Sequence, residues 1–104
     1  MKATKNWGTN WLLTYDLENA DGIGKKDIVQ ASTGKFVASA KWEQDSLSYD
    51  MPSTTLWAFR DKFTNIIAVK DAFYTAVAQC SKEARVKKLI ICDFQTKQLY
   101  IENN

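Results

Sequence analysis

The absence of histidine is the first constraint on the chemistry of this chain, since none of its 104 residues is a histidine. Serine–histidine and cysteine–histidine nucleophile pairs are therefore excluded, together with every zinc or haem site that needs an imidazole. Among the carboxylates, Asp16 ends an apolar segment, and Glu18 and Asp21 follow it. Oxygen ligands suit Mg²⁺, and a two-fold axis could bring two Asp16 side chains together, so Asp16 is the candidate catalytic and metal-binding residue. The alternative is that Asp16 accepts hydrogen bonds from amides of the next turn and that the protein has no cofactor.

A second set of candidates is basic and comprises Lys82, Arg85, Lys87 and Lys88. Such a cluster can contact phosphate groups, and we take it as the candidate nucleic-acid-binding site. The alternative is that these cations offset the negative end of a helix dipole and keep the surface soluble. The net charge of the chain is only +2, which is low for a domain whose affinity depends on many phosphate contacts.

The four tryptophans divide into two pairs. Trp11 and Trp57 lie in segments with strand composition, where packing in the core is the expected role. Trp7 and Trp42 fall outside the best predicted strands, so core packing need not hold them. Exposed aromatic side chains stack on bases or anchor protein contacts, and we predict Trp7 and Trp42 to be interface residues.

Length and composition predict one soluble domain spanning residues 1–104, with 45% hydrophobic and 25% charged residues. The N-terminal residues lack the apolar stretch of a signal peptide, and no apolar run reaches about 18 residues, so we expect a cytoplasmic protein without membrane contact. Cys80 and Cys92 are too few to hold a structural zinc ion. In the cytoplasm we expect both to be reduced.

The elements that would position these residues follow from the hydrophobic pattern. Trp11 to Leu17 is rich in apolar and aromatic residues, as is typical of a strand buried on both faces. Thr64 to Arg85 has apolar residues three and four positions apart, which predicts a helix capped by Thr64 or Asn65. The remaining predicted strands are Ser46 to Asp50 paired with Thr54 to Arg60, then Lys88 to Phe94, and a short edge strand over residues 98–102.

The segment from Lys25 to Trp42 has two interpretations. Ile28, Ala31, Val37 and Ala40 could form one face of a helix, although Gly34 in its middle would cost about 1 kcal/mol relative to Ala. The segment could instead be a β-hairpin around Gly34. The helical interpretation predicts an α+β protein with the ferredoxin-like order β-α-β-β-α-β and an extra C-terminal strand. The hairpin, at residues 27–42, gives a β-rich sheet packed on one helix.

Two short motifs resemble a known family. LLTYDL (residues 12–17) and PSTTLWAF (residues 52–59) are similar to strands of the small ferredoxin-like proteins related to the second CRISPR-associated core protein. The resemblance implies a ferredoxin-like dimer. It also implies that Asp16 lies near the dimer axis, where the matching Asp has been linked to divalent metal and phosphodiester cleavage in some members. The basic first helix of the CRISPR members has no match here, so the resemblance does not imply a role in spacer acquisition.

Three functional hypotheses follow. The first is a small non-catalytic binding module, homodimeric, that associates with nucleic acid or protein through its sheet edge, its exposed aromatic residues and the basic cluster. The second is a metal-dependent phosphodiesterase or nuclease that uses Asp16 across a dimer axis with Mg²⁺. The third is a protein-binding inhibitor or immunity-type regulator whose interface contains Trp7 and Trp42.

Overall fold

The computed structural model describes the backbone of residues 2–3, 10–37, 41–44, 47–50 and 53–104 and the side chains of residues 11–37 and 53–104. The elements in chain order are β1 Lys2–Ala3, β2 Asn10–Glu18, α1 Lys25–Ala31, β3 Phe36–Val37, β4 Lys41–Gln44, β5 Leu47–Asp50, β6 Thr55–Phe59, α2 Ile66–Cys80, β7 Arg85–Asp93 and β8 Gln98–Asn103. One turn of 3₁₀-helix, Arg60–Lys62, lies between β6 and α2. The described residues thus form a mixed α+β fold, as the sequence predicts.

Five strands form an antiparallel sheet in the order β3-β6-β2-β7-β8. The central strand, β2, pairs with β6 on one side and with β7 on the other. Because β2 is antiparallel to both neighbours, β6 and β7 run parallel to each other. By the same reasoning β3, which is antiparallel to β6, runs parallel to β2. Each helix therefore connects two parallel strands that have one other strand between them.

Both helices contribute to one core on a single face of this sheet. In α2, Val69, Phe73, Ala76 and Val77 are buried at three- and four-residue spacing, as the periodicity predicts. The Phe73 ring lies 4.9 Å from that of Tyr15. The whole core cluster is Trp11, Leu13, Tyr15, Ile28, Phe36, Leu56, Ala58, Val69, Phe73, Ala76, Val77, Ala84, Val86, Leu89 and Ile91.

Helix α2 begins as predicted but ends earlier. The side-chain oxygen of Asn65 accepts a hydrogen bond from the Ala68 amide at 2.9 Å and so caps the N-terminus. The helix ends at Cys80, and Ser81 donates the last amide bond to Val77. The predicted extension to Arg85 is wrong, because Arg85 is already the first residue of β7.

The segment from residue 25 combines parts of both interpretations. Its first seven residues form α1, and the chain then turns at Ser32, whose hydroxyl donates to the Val29 carbonyl at 2.6 Å and accepts from the Phe36 amide at 3.2 Å. Gly34 has φ +88° in this turn, a conformation that favours glycine. The helix interpretation is confirmed over residues 25–31, but the helix ends there and does not extend to Trp42. The hairpin over residues 27–42 is wrong, because the partner of β3 is β6.

A second, three-stranded sheet has the order β1-β4-β5. β5 pairs with β4, with Trp42 opposite Tyr49, so the predicted pairing of residues 46–50 with the strand that follows is wrong. The side chains of this sheet lie outside the description. Neither helix in the described residues is long and apolar enough to span a membrane.

Candidate interaction surface on the outer sheet face

The five-stranded sheet has an inner face, which packs on the helices, and an outer face opposite to it. Successive side chains of a strand point to opposite faces, so residues between the core positions lie on the outer face. Strand register then groups outer residues of β2, β7 and β8 into rows of three. These rows are Leu12, Cys92 and Leu99; Thr14, Ile90 and Ile101; and Asp16, Lys88 and Asn103. We call the first two rows the apolar rows.

Accessibility differs across the outer face. Over β6 the outer residues Thr55 and Trp57 are buried, with exposed fractions of 4% and 2%. Trp57 is thus buried as predicted, but it lies outside the core cluster under the helices. Over β8 the outer residues Leu99 and Ile101 are exposed to 61% and 64%. The most accessible part of the apolar rows therefore lies over β8, whereas their residues on β2 and β7 are half-buried.

Strand β8 has its apolar side turned away from the core. Leu99 and Ile101 face outward, whereas Tyr100 packs against the core on the inner face. A strand at the edge of a half-buried sheet normally has the opposite arrangement, with its apolar side inward. The six register pairs from Lys88–Asn103 to Asp93–Gln98 run without a shift, so the backbone ladder holds β8 in this orientation.

A polar cluster on the inner face holds β8 against α2. The Glu102 carboxylate accepts hydrogen bonds from the hydroxyls of Tyr74 and Tyr100 and, at 2.9 Å, from the side-chain amide of Asn104. These bonds lower the pKa of Glu102 to about 2. Burial and the bond to Glu102 raise the pKa of Tyr74. This cluster could not be predicted from the sequence, because Tyr74 and Glu102 are 28 positions apart and no motif joins them.

A β-bulge in β7 brings two basic residues, Lys87 and Lys88, to the outer face of the sheet. The register of β2 against β7 shifts between Asp16 and Leu17, and Lys87 is the extra residue. Lys87 and Lys88 are consequently both exposed, while Val86 and Leu89 beside them are buried. The bulge therefore gives the outer face a basic end.

The predicted basic cluster is not the end of a helix. Arg85, Lys87 and Lys88 lie on β7, and Lys82 lies in the preceding loop. The Arg85 guanidinium donates to the carbonyls of Lys82 and Ala84 at 3.1 and 3.3 Å. No basic residue occupies the last turn of α2, so the predicted role in offsetting that helix dipole is wrong.

Asp16 is exposed on the outer face, opposite Lys88. A carboxylate and an ammonium directly opposite each other on neighbouring antiparallel strands attract weakly. In the part of the chain that the structure describes, no group of three or more acidic or cysteine side chains is placed to hold a metal ion.

Cys80 and Cys92 are free thiols, and burial raises the pKa of both.

An ion pair between the buried Asp93 and the partly exposed Arg60 lies at the opposite end of the sheet. Asp93, 4% exposed, accepts a bidentate hydrogen bond from the Arg60 guanidinium, which lies 3.8 Å above the Trp11 ring. Asp93 also accepts from the Gln95 amide at 3.0 Å and from the Thr96 hydroxyl at 2.8 Å. The Arg60 bond is the largest cause that lowers the pKa of Asp93 to about 2. These contacts fix the turn into β8. They could not be predicted from the sequence, because Arg60 and Asp93 are 33 positions apart.

The two predicted interface tryptophans are not located in relation to this surface. Trp7 lies outside the described residues, and only the backbone of Trp42 is described, in β4.

Comparison with protein-family models, with curated proteins and with solved structures gives no match to this chain.

Chemically, the apolar rows offer hydrophobic contact. Their aliphatic side chains provide no aromatic face on which a base could stack. Among the described side chains, the exposed aromatic residues Phe59 and Phe94 lie at the Asp93 end of the sheet. The basic residues lie at the other end of β7, roughly 25 Å away at about 3.4 Å per residue.

Proposed function

We propose that this protein is a small non-catalytic binding module that forms a homodimer and contacts protein through the apolar rows of its outer face. The observation that carries the proposal is the outward orientation of Leu99 and Ile101 on the edge strand β8. Full burial of one such side chain contributes roughly 1.5–3 kcal/mol. A partner that covers both would therefore gain substantial free energy of association.

The fold that we propose for this module is ferredoxin-like. In such a fold two βαβ units interleave, so that each helix joins parallel strands separated by one strand. The order of β2, α1, β3, β6, α2 and β7, together with the strand directions, supports this assignment, with β8 as the additional edge strand. The relationship to the CRISPR-associated family remains a proposal that rests on the two short motifs.

A protein partner is favoured over nucleic acid by the distribution of side chains. Binding of a single strand combines a basic groove with aromatic side chains that stack on successive bases. Here the basic residues Lys87 and Lys88 and the aromatic residues Phe59 and Phe94 lie at opposite ends of the sheet, with aliphatic rows between them. This arrangement suits an apolar protein surface better.

Measurement of the molar mass in solution tests the proposal. By light scattering at micromolar concentration we expect the wild-type chain at twice 11.9 kDa. The double variant Leu99→Lys with Ile101→Lys should have the mass of one chain, because two charges then replace the apolar side chains. Gln79→Lys, at an exposed position on α2 and away from β8, is the control and should remain dimeric. A wild-type mass of 11.9 kDa would contradict the homodimer.

Two further outcomes would change the class of function. An affinity for RNA or DNA that falls steeply with salt, and that is lost in Lys87→Glu with Lys88→Glu, would replace the protein partner by nucleic acid. Cleavage of RNA or DNA with Mg²⁺ or Mn²⁺ that is lost in Asp16→Ala would establish a phosphodiesterase. We expect neither result.

A further inference from the structure

We propose that two copies of this chain pair directly through the free edges of their β8 strands. The strands run antiparallel about a two-fold axis at Tyr100, and the two five-stranded sheets become one continuous sheet. This rests on the homodimer proposed above and specifies its geometry. The partner is therefore a second copy of the chain, and the contact begins with backbone hydrogen bonds.

The free edge can be identified from the backbone bonds of β8. The backbone amide of Asn104 donates a hydrogen bond to the Lys87 carbonyl at 2.8 Å, so the backbone groups of residue 104 point toward β7. Backbone direction alternates along a strand, and residues 98, 100 and 102 therefore also bond β7. The amide and carbonyl groups of Leu99, Ile101 and Asn103 point to the other edge. No strand among the described residues pairs with that edge.

Strand β8 lacks three of the features by which proteins usually protect an edge strand. Its one inward charge, the Glu102 carboxylate, is held by hydrogen bonds from Tyr74 and Tyr100. Edge strands are commonly blocked by lysine, proline or a bulge. The sequence of β8, QLYIEN, contains neither lysine nor proline, and its pairing with β7 shows no register shift. The Glu102 cluster holds the strand against α2. The edge is thus straight, unblocked and rigid.

Self-complementarity selects the register. With the axis at Tyr100, Leu99 lies opposite the partner's Ile101, and symmetry repeats this contact. Glu102 then lies opposite the partner's Gln98, so no carboxylates oppose each other. Placing the axis at Glu102 would bring two carboxylates together, and placing it at Ile101 would oppose Leu99 to the partner's Asn103.

The same register joins the outer faces of the two copies. Leu12, Cys92 and Leu99 form one apolar row, and the row that contains the partner's Ile101 continues it. The partner's Ile90 follows on the next strand. The dimer therefore presents one apolar band across the joined sheet, wider than either copy alone could offer.

Two variants distinguish this edge pairing from stacking of the outer faces. Ile101→Pro removes an outward amide at a position where an edge strand tolerates proline, and by edge pairing it should weaken dimerisation at least roughly tenfold. Ile101→Ala keeps the amide and should weaken dimerisation less. Ile90→Lys charges the outer face away from the edge and should leave the dimer intact. Sedimentation equilibrium measures all three dissociation constants.

The reverse result, a dimer in Ile101→Pro and monomers in Ile90→Lys, would overturn edge pairing while leaving the homodimer in place. Monomers in the wild type would overturn both proposals. Circular dichroism of each variant separates loss of association from loss of folding.

Disulfide trapping tests the register without proline. In a chain with Cys80→Ser and Cys92→Ser, we would introduce Leu99→Cys or Ile101→Cys and mix the two proteins. Opposed residues of this kind lie about 5.5 Å apart between Cα atoms, within the range of a disulfide. The mixed disulfide should form in higher yield than either homodisulfide. A preference for a homodisulfide, or no trapping at all, would overturn the register.

Discussion

At the scale of single residues, the ion pair of Asp93 and Arg60 fixes the end of the sheet. Asp93 is buried and accepts from Arg60, Gln95 and Thr96. A buried carboxylate without such partners would be strongly destabilising. The bonds to Gln95 and Thr96 shape the turn from which β8 starts. The orientation of β8, and with it the accessible surface, therefore depends on a residue that does not itself belong to that surface.

Asp93→Asn should make stability less dependent on acid. The pKa of Asp93 is lowered from 3.8 to about 2, so its contribution is present above about pH 4 and is lost as the pH falls toward 2. That contribution is worth about 2 kcal/mol at neutral pH. Urea unfolding should show this difference between wild type and variant at pH 7 and little difference at pH 2. Asp61→Asn, at an exposed carboxylate, is the control. An equal difference at both pH values would contradict the assignment.

Residue types alone could indicate Asp16 as a candidate but could not indicate its surroundings. A carboxylate at the end of a strand is suited to a metal or to a turn, and the pattern of the sequence cannot choose between them. The register that places Lys88 opposite Asp16 depends on the bulge at Lys87, which the sequence analysis did not anticipate. The Asp93 and Glu102 clusters went unnoticed for a related reason, since each joins residues that are distant in sequence.

At the scale of elements, α2 could be predicted because its apolar residues recur at helical spacing. β2 and β7 could be predicted because their apolar residues are nearly continuous, and β8 because its apolar residues alternate with polar ones. Alternation showed that Leu99 and Ile101 share one side of β8. It could not show which face of the sheet that side occupies, because tertiary bonds from Tyr74 to Glu102 hold the strand. The helix predicted from residue 25 is shorter than expected and the alternative hairpin does not form, for a different reason. Ser32 and Gly34 end the helix through a local turn.

Gly34→Ala should destabilise the turn between α1 and β3 by about 1 kcal/mol. An added Cβ would meet nothing within 4 Å, so the cost comes only from the backbone, which has φ +88°. Gly24→Ala is the matched control, because Gly24 has φ −102° and an added Cβ would make only an ordinary contact with Asp27. Chemical denaturation should show a lower free energy of unfolding for the first variant alone. Equal effects of the two substitutions would contradict this explanation.

At the scale of the whole molecule, composition and element order predicted the α+β class, which depends on the number and type of elements. The second sheet, β1-β4-β5, was not predicted, because its strands are short and β1 is distant in sequence from β4. Accessibility could not be predicted either. Whether the outer face of a strand is covered, as at Trp57, or open, as at Ile101, depends on how the whole chain is arranged.

Association of two copies should make thermal stability depend on protein concentration. A dimer that forms only from folded chains draws the equilibrium toward the folded state. The thermal midpoint should then rise by about 3–5 °C for each tenfold increase in concentration. Differential scanning calorimetry over two decades of concentration measures this slope, with the double variant Leu99→Lys and Ile101→Lys as the control of zero slope. A wild-type midpoint that does not move would contradict association.

The β-bulge at Lys87 also determines at which position β7 can lose one residue without disturbing its pairing with β2. Asp16 pairs with Lys88 and Leu17 with Val86, so a chain that lost Lys87 through an in-frame deletion of one codon would have an uninterrupted ladder. Val86 would stay inside and Lys88 outside, while the bond from the Asn104 backbone amide to the Lys87 carbonyl would be lost. Loss of one residue further along β7 would turn buried side chains outward. Homologues one residue shorter in β7 should therefore carry their alignment gap at Lys87.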